Sequence, residues 1–214
     1  ILVRRIANLV GCVCLATACG EQGDPTDPFN PDEIPEDAVI ARHESIAAFS
    51  SIPTTVLDYV RANYNFYYGH TSHGSQITNG MTGLIGFANG GGKGLTLPTD
   101  FFDWNNGGTD GALDLHDYAM SGDVGYHPQW VNETRAYLEN SANADVNVIM
   151  WSWCGQASSR TEQSMIDTYL APMTQLELDY PKVTFVYMTG HADGTGEAGN
   201  LHLRNQQIRQ YCID

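Results

Sequence analysis

The sequence VNVIMWSW, residues 146–153, gives the clearest strand signal in the chain. It is an apolar run with β-branched and aromatic residues, which is typical of a buried strand. Shorter runs of this kind occur at residues 65–68, 113–119 and 183–188, and helical patterns separate them. Strands that alternate with helices predict βαβ units, and therefore an α/β fold whose parallel sheet has helices on both faces.

The helices are predicted from apolar periodicity and from start signals. Residues 38–63 are predicted to be helical with a break at Pro53, and residues 76–87 form a weaker, glycine-containing pattern. Pro128 suits the first turn of a third helix. The sequence SRTE at residues 159–162 resembles a capping box for a fourth helix, and residues 200–211 form the last one. The glycine-rich residues 89–111 are predicted to be a long loop.

The charge balance excludes one class of partner. The 214 residues include 25 acidic and 10 basic side chains, for a formal net charge of −15. Nucleic-acid affinity comes mainly from Lys and Arg that neutralise phosphates, so no nucleic acid is expected as a partner. With 42% hydrophobic residues the chain has the composition of a globular protein. We expect one domain over residues 38–214.

The first 18 residues have the layout of a secretory signal peptide. Arg4 and Arg5 precede an apolar run, and small residues precede Cys19. The sequence LATAC, which ends at Cys19, resembles a bacterial lipobox, and the resemblance implies that Cys19 is lipidated. A plain cleaved signal with a spare cysteine is the alternative. Both alternatives predict an exported protein, either secreted or held at the cell envelope, and a lipid anchor is the expected contact with a membrane.

The segment after the signal peptide is predicted to be a disordered tether. Residues 19–37 are rich in Pro and Asp and contain almost no large apolar side chain to bury. Export places the remaining cysteines in an oxidising compartment, which permits a disulfide between Cys154 and Cys212.

Unusual polar sequences follow three of the predicted strands. GHTSHG follows the first at residues 69–74, WCGQ lies at residues 153–156, and TGHAD at residues 189–193. Ligands bind beyond the carboxyl ends of parallel strands, so we expect these sequences to lie together.

Ser72 is the candidate nucleophile in this group. A serine hydroxyl needs a base that takes its proton and donors that stabilise the oxyanion. Ser72 lies where a strand turns into a helix, and Gly69 and Gly74 permit a tight turn there. The helix N-terminus adds partial positive charge. A polar helix cap is the structural alternative for the same residues.

Three sequence blocks resemble the SGNH hydrolases. FYYGHTSHGS, residues 66–75, resembles the first block of a branch in which a His-x-Ser-x-Gly pattern replaces the usual GDS. AMSGD, residues 119–123, is similar to the second block, and VIMWSWCGQ, residues 148–156, to the third. The resemblance implies Ser72 as nucleophile, Gly122 as a backbone oxyanion donor, and a three-layer flavodoxin-like sheet flanked by helices.

Two positions depart from the family pattern. Cys154 stands where the main family has an asparagine oxyanion donor, and a thiol is a weak donor, so Gln156 or a backbone N–H is an alternative. The family's late Asp-x-x-His block does not occur in this sequence. Either the sequence is truncated before that block, or His191 is the base and Asp193 orients it.

The resemblance and the predicted export together imply a serine esterase without a cofactor. Its expected substrates are acyl esters, including acetyl esters, on small molecules or polysaccharides. The candidate substrate contacts are Trp104, Trp153, Gln156 and His70. One alternative is a non-catalytic carbohydrate-binding lipoprotein on the same scaffold. The other is a metal-dependent hydrolase built on the histidines, although no metal-binding motif occurs and no metal ligand is assigned.

Overall fold

The structure is a computed structural model that describes residues 2–3, 39–41, 45, 51–91 and 96–214. The predicted lipidation site Cys19 and the tether at residues 19–37 lie outside the described residues. So does the predicted signal peptide, except for Leu2 and Val3.

Helices occupy most of the connections between the strands. In the described ranges they are α1 (Thr54–Asn63), α2 (Ser75–Asn89), α3 (Gln129–Leu138), α4 (Glu162–Met165), α5 (Ala171–Asp179) and α6 (Asn200–Ile213). A π-helical turn, Ile166–Leu170, joins α4 to α5. No described helix is both long and apolar enough to span a bilayer.

The start of α4 differs from the prediction. Its cap is Thr161, whose hydroxyl accepts a hydrogen bond from the amide of Ser164. The predicted cap, Ser159, instead ends a 3-10 turn, Gln156–Ser159. Both residue types can cap a helix. Ser159 belongs to the 3-10 turn that follows β6, so Thr161 is the residue that caps α4.

Five parallel strands form the body of the sheet. The strands are β1 (Leu2–Val3), β2 (Val39–Ile40), β3 (Asn65–Gly69), β4 (Trp104–Asn105), β5 (Leu113–Asp117), β6 (Val148–Trp151) and β7 (Thr184–Tyr187). Strands β3 to β7 are parallel and lie in the order β4-β5-β3-β6-β7, while the two-residue strands β1 and β2 add antiparallel at the β7 edge. With helices flanking the sheet, this is the predicted α/β fold with a three-layer, flavodoxin-like topology.

Alternate residues of the central strands pack on opposite faces of the sheet. Tyr67 and Trp151 belong to one cluster, which α3, α5 and α6 complete. Tyr68 and Met150 belong to a second cluster, which Ile77 of α2 covers. Successive side chains of a strand point to opposite faces, so a strand covered on both faces is apolar throughout. This is why the residues of β6 gave the clearest strand signal and those of β3 a shorter run of the same kind.

The glycine-rich residues 89–111 contribute to the core, which the sequence did not indicate. Leu97 and Phe101 are buried against Ala88 at the end of α2. Trp104 forms β4 and packs, half-buried, against the second cluster. Its partner in the sheet is Leu113, the first residue of β5. Trp104 therefore lies at the amino end of the sheet.

Candidate active site

The candidate site lies at the carboxyl edge of the sheet, where the segments that follow β3, β5 and β6 are joined by backbone hydrogen bonds. The amide of Ser152 donates to the carbonyl of Gly69 at 3.0 Å, and the amide of Ala119 donates to the carbonyl of Tyr68 at 3.2 Å. The amide of Val124 donates to the carbonyl of Ser152. These contacts hold the polar sequences beyond the strands close together, as expected for parallel strands.

Ser72 lies in a strained turn between β3 and α2. It begins a one-turn 3-10 helix, Ser72–Gly74, and has a φ of +30°. Residues other than glycine rarely adopt a positive φ, and backbone strain of this kind is concentrated at functional sites. Ser72 is exposed, and its hydroxyl makes no hydrogen bond to any described residue. The turn therefore presents a hydroxyl that forms no stabilising hydrogen bond with the described residues.

Gly74 is needed for this turn. A Cβ at this position would lie 2.2 Å from Cβ of His70 and 2.4 Å from Oγ of Ser152. No side chain fits in that space, so the close approach of the turn to the β3 and β6 ends depends on glycine. The sequence predicted this role for Gly74.

Three backbone amides in the Ser72 turn and the Gly122 loop are unpaired. Within the described part of the chain, the amides of Ser72, His73 and Gly122 donate to no acceptor. Gly122 has a φ of +85°, which favours glycine. The N-terminus of α2 adds partial positive charge beside Ser72. Free amides near a nucleophile are the groups that stabilise an oxyanion.

A short hydrogen bond joins the Ser72 turn to the Gly122 loop. The hydroxyl of Thr71 donates to Oδ2 of Asp123 at 2.6 Å. Asp123 is 1% exposed, and its Oδ1 accepts the amide of Gly125 at 2.9 Å. Because Thr71 precedes Ser72 and Asp123 follows Gly122, this bond fixes the candidate nucleophile relative to the candidate oxyanion donor.

Cys154, which the sequence places at the family's oxyanion-donor position, contacts an imidazole. Its Sγ lies 3.5 Å from Nδ1 of His73. The His73 ring stacks on that of His191, with 3.9 Å between the ring centroids and 12° between the planes. These three side chains come from the ends of β6, β3 and β7, so the structure brings together residues that lie far apart in the sequence.

Asp193 does not hydrogen-bond to His191. Its Oδ1 accepts bonds from the Thr195 hydroxyl at 2.6 Å and the Thr195 amide at 3.0 Å. These bonds, with a smaller contribution from the charge of His191, hold the pKa of Asp193 below its usual range. Nδ1 of His191 is buried and has no hydrogen-bond partner. The structure therefore shows no hydrogen bond from Asp193 to His191, because Oδ1 of the carboxylate is used in a turn, and the orienting role of Asp193 stays a prediction.

His70 is a structural residue, not a surface contact. It is 1% exposed, and its Nε2 lies 2.7 Å from Oδ1 of Asp117. Its ring packs between those of Tyr68 and Tyr118, at centroid distances of 4.4 Å and 3.9 Å. The prediction that His70 contacts substrate fails because the Ser72 turn and Tyr118 cover it.

The predicted tryptophan contacts also lie elsewhere. Trp153 is 2% exposed, and its indole N–H donates to the carbonyl of Met188 at 3.2 Å, so it is a core residue. Trp104 lies at the opposite end of the sheet. Gln156 is half-buried near the site, but its Oε1 accepts the amide of Gly155 and its side chain packs against Gly125.

The two later cysteines do not form the permitted disulfide. Cys154 and Cys212 are both thiols outside any disulfide, and Cys212 is buried in the core on α6. Among the described residues, no three His, Cys, Asp or Glu side chains are arranged to hold a metal ion.

Two residues at the site were missed or given another role by the sequence. His73 was not predicted as a partner of Cys154, although its place beside Ser72 at a strand end already put it near WCGQ. Tyr118 follows β5 with a φ of +53° and is 57% exposed above His70. An aromatic residue directly after a strand end was the available signal for Tyr118.

Comparison of the chain with protein-family models, with curated proteins and with solved structures gives no match. The fold is therefore assigned from the topology alone, and the chemistry of the site has to be argued from its own residues.

Proposed function

We propose that this protein is a serine esterase of the SGNH type, with Ser72 as its nucleophile. The observation that carries the proposal is the Ser72 turn: an exposed hydroxyl at φ +30° with unpaired amides at Ser72, His73 and Gly122. A polar helix cap would use the hydroxyl to bind an amide at the helix start, and the Ser72 hydroxyl makes no such bond. The exposed, strained position favours a nucleophile over a cap.

In the proposed reaction, Oγ of Ser72 attacks the acyl carbon of the ester, and an imidazole takes the hydroxyl proton. The amides of Ser72 and Gly122 hold the tetrahedral oxyanion. The alcohol leaves with the proton from the imidazole, and an acyl-Ser72 ester remains. Water then attacks this ester with the same imidazole as base, and the acid and the free serine result.

His191 is the base that this proposal assigns. It lies at the end of β7 and stacks on His73, the residue that follows Ser72 in the turn. Nδ1 of His73 already contacts Cys154, whereas Nδ1 of His191 has no partner. A general base must come within hydrogen-bond reach of the hydroxyl, and such contacts often tighten only when substrate binds.

The proposed substrates are acyl esters of carbohydrates, with acetyl esters as the simplest case. The exposed ring of Tyr118 lies over His70 at the same edge of the sheet as Ser72. Aromatic rings at pocket rims supply flat apolar area for a ligand. The signal-peptide and lipobox patterns support an exported protein anchored at the cell envelope, where polysaccharides are available.

Hydrolysis of p-nitrophenyl acetate by the purified protein tests the assignment of Ser72. We expect Ser72→Ala to lower kcat/KM by about 10³-fold or more, because the variant lacks the hydroxyl that attacks the ester. Ser141→Ala is the matched control, since Ser141 is also exposed but precedes β6 at the opposite edge of the sheet. Equal activity of Ser72→Ala and the control would overturn the proposal. Absence of activity in the unmodified protein, together with retained binding of a polysaccharide, would favour the carbohydrate-binding alternative.

A further inference from the structure

The contact between Cys154 and His73 has no part in the proposed serine mechanism. Sγ of Cys154 lies 3.5 Å from Nδ1 of His73, within the range of a sulfur hydrogen bond. Nδ1 accepts the thiol proton when that nitrogen is unprotonated. An adjacent imidazole is the group that converts a thiol into the nucleophilic thiolate.

The surroundings of the pair are those of a reactive thiol. Cys154 is half-buried at the carboxyl edge of the sheet, whereas Cys212, the other cysteine among the described residues, is buried in the core. The His73 ring is fixed by its stack on His191. Structural cysteines are usually buried in apolar surroundings and inert, so the two thiols of this chain are expected to differ in reactivity.

We propose that Cys154 and His73 form a second nucleophilic pair, which accepts an acyl group from activated acyl donors such as thioesters. Sγ of Cys154 attacks the acyl carbon while its proton passes to Nδ1 of His73. The bond from the acyl carbon to the leaving sulfur breaks, and the leaving thiol takes the proton from His73. The acyl group remains on Cys154 as a thioester, and water or a substrate alcohol releases it as the acid or as an ester.

This inference does not rest on Ser72 as the esterase nucleophile. The thiol and the imidazole are in contact whether or not the Ser72 hydroxyl reacts. Both nucleophiles lie at the same edge of the sheet, Ser72 in the turn after β3 and Cys154 beside His73.

Alkylation by iodoacetamide tests the pair without any ester substrate. We expect the folded protein to be alkylated at Cys154 at least about tenfold faster than at Cys212, with the two peptides quantified by mass spectrometry. His73→Asn is expected to slow alkylation of Cys154 by about tenfold, and His202→Asn, on α6, is the matched control. Equal rates in the unmodified protein and in His73→Asn would overturn the proposal.

The acyl transfer itself is tested with S-acetyl-N-acetylcysteamine, a small thioester, followed by an acid quench. We expect an acetyl group on the Cys154 peptide in the unmodified protein and in Ser72→Ala, but not in Cys154→Ala. Acetylation that is confined to Ser72, or that persists in Cys154→Ala at the same level, would overturn the proposal. Loss of ester hydrolysis in Ser72→Ala, with Cys154 still acetylated, would support both nucleophiles. The two proposals are therefore tested independently of each other.

Discussion

Tyr68 connects the core of the sheet to the Ser72 turn. Its ring is fully buried in the cluster under α2, and its hydroxyl donates to the carbonyl of Gly74 at 3.0 Å. Burial is the main reason that the pKa of Tyr68 is raised to about 12. A buried phenol resists ionisation because the charged form loses its hydration. The turn that carries the candidate nucleophile is therefore held by a group that must stay protonated.

This shift predicts a loss of stability at alkaline pH. The pKa of Tyr68 in the folded protein is about 12, above the ordinary value of 10.0. The contribution of Tyr68 to the free energy of unfolding is therefore complete below pH 10 and is lost as the pH rises from 10 to 12. The free energy of unfolding, measured with urea across this range, should fall by about 2 kcal/mol more in the unmodified protein than in Tyr68→Phe. Tyr59→Phe, which removes a hydroxyl at an exposed position, is the matched control. The same pH dependence in Tyr68→Phe and the unmodified protein would contradict the assignment.

The candidate nucleophile and oxyanion glycine were identified from the sequence, but the burial of two predicted substrate contacts was not. Ser72 and Gly122 follow strands, and strand ends can be located from apolar runs. His70 and Trp153 also follow strands, but both are covered by other elements, and coverage depends on tertiary packing. A histidine or tryptophan at a strand end can therefore be exposed or buried, and local sequence does not distinguish the two.

Strands β3 and β6 approach each other closely at the edge that carries the site. A Cβ on Gly69 would lie 2.5 Å from Cε3 of Trp151, its partner in the sheet register. The indole of Trp151 is fully buried and donates to the hydroxyl of Thr134 at 2.8 Å. The ring has no room to move, so the glycine is required by packing.

Gly69→Ala is expected to destabilise the protein by about 1–3 kcal/mol, because the added methyl group displaces a buried tryptophan. Gly83→Ala is the matched control within α2, where an added Cβ has no neighbour within 4 Å. The free energy of unfolding of that variant should rise by about 0.5–1 kcal/mol, since alanine is more stable than glycine in a helix interior. Urea unfolding of both variants measures the difference, and equal stability of the two would contradict the packing argument.

Element boundaries were predicted best where the local signal was unique. The bounds of β3, β5, β6 and β7 agree with the predicted runs to within two residues at each end. The start of α4 was wrong because Ser159 and Thr161 are both good caps. The role of residues 89–111 was missed because Leu97 and Phe101 are isolated apolar residues, and nothing in their local pattern shows that they pack on α2.

At the scale of the whole molecule, the site depends on loops that follow different strands. The Thr71–Asp123 hydrogen bond is the direct side-chain link between the Ser72 turn and the Gly122 loop. A carboxylate at this position accepts two bonds, one on each oxygen. An amide has only one acceptor oxygen, so an asparagine cannot reproduce both.

Asp123→Asn is therefore expected to reduce stability by about 1–3 kcal/mol and to lower kcat/KM for ester hydrolysis by about tenfold, because Gly122 loses its fixed position. Asp110→Asn, at an exposed position, is the control and should change neither quantity. Urea unfolding and p-nitrophenyl acetate kinetics measure the two effects. A stability loss without any change in kcat/KM would show that Gly122 is not an oxyanion donor.

The most direct test of the central claim is covalent labelling with a fluorophosphonate, with the modified peptide identified by mass spectrometry. A fluorophosphonate reacts with an activated serine hydroxyl beside an oxyanion site. The account predicts a single phosphonylated residue, Ser72, and no labelling of the Ser72→Ala variant. A label on another serine, or no label on a protein that hydrolyses p-nitrophenyl acetate, would contradict it.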